Sequence, residues 1–120
     1  MGGNMSTDSV VKQKSMAFAK RIVHLYQYLG EERHEHIMSR QVLRSGTSIG
    51  ANIAEAIYGS SRKDFTAKLQ IAQKEASETL YWLELLNSCS YIPDPLYQSL
   101  YRDCSEILAI LTATIRSCSK

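Results

Sequence analysis

Apolar side chains in this chain recur at alternating steps of four and three, and that spacing limits the fold more than any single residue. Val11, Ser15, Phe18, Ile22, Leu25 and Leu29 fall on one side of a helix running from about Asp8 to Leu29, because residues three and four apart share a helical face. Val42, Gly46, Ile49, Ile53 and Ile57 stripe a second segment, from about Met38 to Tyr58. Phe65, Leu69, Ala72, Ala76, Leu80, Leu83 and Leu86 stripe a third, reaching about Cys89. Leu96, Leu100, Cys104, Ile107, Leu111 and Ile115 stripe a fourth, to about Ser117. No segment alternates with period two, so no sheet is expected.

The breaks fall between these stripes. With two prolines and six glycines in 120 residues, turn signals are few. Thr7 or Asp8 is expected to cap the first helix and Gly30 to end it. Glu31-Glu32-Arg33-His34-Glu35-His36 reads as a solvated connection. Ser61, with Asp64 three residues on, is a variant capping box, and Asp94, read as an N-cap acid before a first-turn Pro95, is a helix start. Four helices with short connections define an all-α, antiparallel up-down-up-down four-helix bundle over residues 8–118. Residues 1–7 are expected to form a disordered tail ahead of it.

Chemistry that the sequence excludes narrows the function. Gly46-Thr47-Ser48-Ile49-Gly50 matches the G-x-S-x-G nucleophile elbow in letters. That elbow needs a strand entering it and a histidine after the serine. Here His24, His34 and His36 all precede Ser48 and no strand is expected. His34-Glu35-His36 lacks the i,i+4 spacing of a helical zinc motif. There is no phosphate-binding glycine loop and no paired-cysteine site. The chain is therefore read as no enzyme, with no metal and no cofactor. Cys89, Cys104 and Cys118 are odd in number and unpaired in pattern, which suits a reducing, cytoplasmic compartment. No apolar run approaches the ~18 residues of a membrane span.

Two helices carry more than a core face. In the third, Ile71, Trp82 and Leu85 lie together opposite the main stripe, with Glu75 and Glu78 between them and Tyr81 alongside. The fourth is broadened by Tyr97, Tyr101, Leu108 and Ile110. A four-helix core uses about 100° of each helix, so the surplus reads as a surface for self-association. The second helix is rich in small residues. Gly46, Gly50 and Ala54 are four apart and are expected to let a neighbouring helix approach closely. Arg44, Ser48, Asn52 and Glu55 form a polar strip, with Arg44–Ser48 and Asn52–Glu55 as expected hydrogen-bonding pairs.

Charge is uneven along the sequence. Residues 1–68 hold ten basic and six acidic side chains, against four and six in residues 69–120. The formal net charge is only +2, so a phosphate-binding field gains strength only if copies assemble.

The run Arg44-Ser45-Gly46-Thr47-Ser48-Ile49-Gly50-Ala51-Asn52-Ile53-Ala54-Glu55-Ala56 carries a resemblance. Ser61-Arg62-Lys63-Asp64-Phe65 and Glu78-Thr79-Leu80-Tyr81-Trp82-Leu83-Glu84-Leu85-Leu86 extend it. The chain resembles the bacterial four-helix-bundle family of 23S rRNA intervening-sequence proteins, which includes the accessory variability proteins of diversity-generating retroelements. The resemblance implies a bundle, a ring-like homopentamer, and a basic surface meeting nucleic acid or a reverse transcriptase. It marks Arg44, Ser48, Asn52 and Glu55 as signature positions.

The resulting expectation is a non-enzymatic homo-oligomer associating with RNA or DNA by phosphate contacts from Lys12, Lys20, Arg21, Arg40, Arg44, Arg62 and Lys63. Its oligomer interface would use Ile71, Trp82, Leu85 and Tyr81. The alternative is a protein-binding scaffold that uses the apolar patches of helices three and four, with no nucleic acid.

Overall fold

A computed structural model of the chain describes residues 2–59 and 61–118, with side chains described from Asp8 onward. Four helices follow one another: α1 Gly2–Glu31, α2 Met38–Ile57, α3 Arg62–Ser88 and α4 Asp94–Cys118. No strand occurs among the described residues. Each helix packs on its neighbours in sequence and α1 closes the bundle against α4, while the backbones of the diagonal pairs stay apart. The result is an up-down-up-down four-helix bundle measuring 45 × 22 × 21 Å.

The periodic stripes make the core. All six α1 stripe residues are buried, as are Val42, Ile49 and Ile53 of α2. Leu69, Ala72, Ala76, Leu83 and Leu86 of α3 and Leu100, Cys104, Ile107 and Leu111 of α4 complete it. Leucine and isoleucine fill the interior without polar atoms. Of the buried hydroxyls, Ser15 donates to the Lys12 carbonyl at 3.0 Å, the Ser45 and Thr79 hydroxyls meet at 2.9 Å between α2 and α3, and that of Ser39 makes no hydrogen bond among the described residues.

Small residues on α2 set its distance from α1. A Cβ added at Gly46 would stand 2.9 Å from both Cγ1 and Cγ2 of Ile22, closer than real Cβ contacts come. At Gly50 the nearest atom is the Ser15 hydroxyl at 3.4 Å, an ordinary contact. The expected close approach is therefore made at Gly46.

Helix ends depart from the sequence expectation in three places. α1 begins at Gly2 rather than Asp8, so its backbone runs through residues expected to form a tail. No proline stands there to stop it, and Met1 lies outside the described residues. Gly30 does not end α1. The turn is made by His34, whose φ of 53° is left-handed, and the Glu35 amide then donates to the Leu29 carbonyl at 2.9 Å. Asp94 is the first residue of α4, and its carboxylate accepts from the Asn87 side chain at 2.9 Å. The Ser61 cap is found as expected, accepting from the Asp64 amide at 3.0 Å.

The α1–α2 connection is less solvated than its charges suggest. Glu35 is only 7% exposed. Its carboxylate accepts from the amides of Ile37, Met38 and Ser39 at 3.1, 3.0 and 2.7 Å. These are first-turn donors of α2 that otherwise have no partner in the helix. Ile37, at the N-cap itself, supplies no side-chain bond.

Candidate nucleic-acid interface

The helical register fixes where each cation goes. On α1, Lys14 and Arg21 face α4, where Arg21 donates to Asp103 at 2.7 Å and Lys14 lies 3.8 Å from Glu106. Lys12 and Lys20 line the outer side of α1, alongside Met16. Lys12 donates to the Tyr58 hydroxyl at 3.1 Å and stands 5.1 Å from that ring's centroid. Arg40 is exposed on α2, and Arg62 and Lys63 are exposed at the start of α3. Lys20, Arg40, Arg62 and Lys63 make no ion pair among the described residues.

The seven sequence-predicted cations are thus not one patch. Arg44 reaches across to α3, with Nη1 3.3 Å from Glu75 and Nη2 2.5 Å from Glu78. The Glu78 carboxylate holds the guanidinium above its ordinary range. Glu78 itself titrates below the usual carboxylate range, because the Trp82 indole and then Arg44 donate to its charged form. Two of the seven, Arg21 and Arg44, are therefore already neutralised within the chain.

The polar strip on α2 is a ladder of local bonds. Ser48 donates to the Arg44 carbonyl at 2.6 Å and Asn52 to the Ser48 carbonyl at 2.9 Å. Glu55 pairs with Lys68 of α3 at 3.1 Å rather than with Asn52. Ser48 sits in mid-helix on its own backbone, so the geometry gives it no base. No group of three His, Cys, Asp or Glu that could hold a metal occurs among the described residues.

The sequence-predicted oligomer face keeps its register on α3. Ile71 is 41% and Tyr81 58% exposed, whereas Trp82 and Leu85 are half-buried. Trp82 donates to Glu78 at 3.0 Å, and the Tyr81 and Trp82 rings meet edge to face at 5.0 Å. Part of the surplus is absorbed within the chain, since Trp82, Tyr97, Leu108 and Ile110 pack against the core.

Sequence reasoning missed two features. One is a groove between α1 and α2 of about 290 Å³, floored by Met16, Ala19, Gly50, Ala51 and Ala54 and edged by Lys12. The other is Tyr58, 75% exposed at the α2 C-terminus. An aromatic residue left off the apolar stripe at a helix end was the available signal. No helix among the described residues is long and apolar enough to cross a membrane.

Comparison with known proteins agrees with this architecture. A solved structure described as a protein of unknown function from the S23 ribosomal protein family of Bacteroides thetaiotaomicron VPI-5482 is similar, at 55% identity and a TM-score of 0.90. The match covers 92% of this chain and 98% of that one. No curated protein matches. The family model described as 23S rRNA-intervening sequence protein matches residues 7–113, and the chain belongs to that family.

Proposed function

We propose that the chain is a non-enzymatic, self-associating accessory protein that meets RNA or DNA through phosphate contacts on its α1–α2 side. What supports this reading is charge distribution helix by helix. α1 holds four cations and two acids, Asp8 and Glu31 near its ends, and α2 holds two cations and one acid, Glu55. α3 and α4 together hold six cations and seven acids. The small net charge therefore conceals a basic α1–α2 side beside a nearly neutral α3–α4 side. Lys12, Lys20 and Arg40 are the cations of the basic side that face solvent, and Arg62 and Lys63 extend the field at one end. Assembly repeats the field in each copy, in the pentameric ring that the family resemblance implies. Nothing in the geometry favours a reverse transcriptase over other partners.

Binding of labelled RNA or DNA, measured by fluorescence anisotropy across a salt series, tests the proposal. Affinity is expected to fall linearly in log–log form, with slope about −0.7 to −0.9 per phosphate contact. The double reversal Lys12→Glu, Lys20→Glu is expected to abolish binding, and Arg21→Gln to leave most of it. Absence of binding at low salt overturns the reading. A second reading, a scaffold that recruits a protein through the apolar residues of α3 and α4, draws on the exposure of Ile71 and Tyr81. It predicts a partner retained through nuclease and high salt.

A further inference from the structure

We infer that the α1–α2 groove takes single-stranded nucleic acid in preference to duplex, with phosphates on its lysine edge and bases on its apolar floor and on Tyr58. The inference rests on the nucleic-acid reading above and names the form of nucleic acid. A duplex presents phosphates outward and hides its base faces, so a duplex-binding surface needs cations and polar groups but no apolar floor. This groove has the opposite make-up. Its floor is Met16, Ala19, Gly50, Ala51 and Ala54, with the hydroxyls of Ser15 and Thr47 the only other side-chain polar groups beside Lys12. The Ser15 hydroxyl is engaged with the Lys12 carbonyl and that of Thr47 with the Leu43 carbonyl at 2.7 Å. Little in the floor is left to bond a phosphate.

The edges supply what the floor lacks. Lys12 and Lys20 border an adjoining depression of about 610 Å³ that shares Met16 with the groove. Met16 is 57% exposed, an unbranched thioether able to shape itself to a ring. Tyr58, the C-cap of α2, stands four residues beyond the floor residue Ala54, with Lys12 held at its ring and most of the side chain open to solvent. Arg40 and Tyr58 are separated by a whole number of helical turns and so lie on one outward face of α2, about 27 Å apart. Cations spaced along a track beside a stacking platform are the composition by which single strands are held without base reading. The acid within this stretch of α2, Glu55, is paired with Lys68 of α3 at 3.1 Å.

The test compares one labelled oligonucleotide of about 20 residues, single-stranded or annealed to its complement, at low salt by anisotropy. The single strand is expected to bind ~10-fold or more tightly than the duplex. Tyr58→Ala is expected to loosen the single strand ~5-fold or more, and Tyr58→Phe to retain affinity, since the ring stacks and the hydroxyl serves only Lys12. Met16→Asp places a charge on the floor and is expected to loosen the strand as well. Both positions are exposed, so circular dichroism and the melting midpoint are expected to stay unchanged. Duplex binding equal to or tighter than single-strand binding overturns this inference and leaves the nucleic-acid reading standing. So does unchanged affinity in both Tyr58→Ala and Met16→Asp. Failure of both forms to bind removes the nucleic-acid reading itself, and preference for an acidic helical peptide over the strand overturns the inference in favour of a protein partner.

Discussion

Two residues hold ionisable groups where the fold decides their chemistry. Glu35 satisfies three amides at the start of α2, and its charge lies at the positive end of the helix. Glu35→Ala is expected to lower stability by about 1–3 kcal/mol in urea denaturation, with Glu35→Gln in between, since an amide offers one accepting oxygen. Cys104 is buried against α3, its sulfur 3.4 Å from the Ala76 carbonyl, and burial pushes its thiol up to about 12. Below the ordinary thiol range both states keep the proton and stability is unaffected. Above it the unfolded chain loses that proton while the folded chain keeps it, so stability falls with rising pH, by at most about 1.4 kcal/mol per pH unit from this group. Wild type compared with Cys104→Ala in urea at pH 8 and near pH 10.5 is expected to show the extra alkaline loss only in wild type. Neither role was legible in sequence to the same degree. Cys104 stood on the α4 stripe and so read as buried. Glu35 sits in a run of charges, and a cap reaching forward from before the N-cap leaves no spacing signature.

At the scale of the helix, local propensity and packing pull against each other on α2. Replacing glycine with alanine in a helix interior gains about 1 kcal/mol. At Gly50, where there is room, Gly50→Ala is expected to be neutral or stabilising by up to that amount. At Gly46 the added methyl meets the branched, fully buried Ile22, and overpacking of this kind costs about 1–3 kcal/mol. Gly46→Ala is therefore expected to lower the melting midpoint while Gly50→Ala raises or preserves it, a contrast readable by differential scanning calorimetry. The stripes made the four elements legible because each helix buries one face only. Their ends were less so. Gly30 looked like a stop, yet the chain turns at His34, since the αL position falls where the connection folds back and not where the glycine stands. Asp94 looked like a cap, but its carboxylate is taken by Asn87.

For the molecule as a whole, the sequence overstated the surplus of apolar surface, because periodicity cannot tell an outward side chain from one leaning onto a neighbouring helix. Trp82 and Tyr97 lean inward, while Ile71 and Tyr81 do not. If α3 joins copies together, the double substitution Ile71→Asp, Tyr81→Asp is expected to shift native mass spectra from an oligomer to the 13.5 kDa chain, with helical content unchanged. A wild-type chain that is monomeric at micromolar concentration would end the self-association proposal. The cations were all visible in the sequence, but their partners were not. Arg21 and Arg44 are spent on carboxylates 82 and about 30 positions away, a separation only the bundle brings together. One further contact acts at this scale. Arg33 donates to the carbonyls of Ser90 and Tyr91 at 3.0 and 3.1 Å and stands 5.3 Å from the Tyr91 ring centroid. It rivets the two connections at one end of the rod, whereas the other end carries the start of α1, the end of α4 and the α2–α3 connection. Thermal opening of such a bundle is expected to be lopsided: amides at the start of α1 and the end of α4 should exchange with solvent well before those beneath the arginine, and the protein comes apart like a book held at its spine.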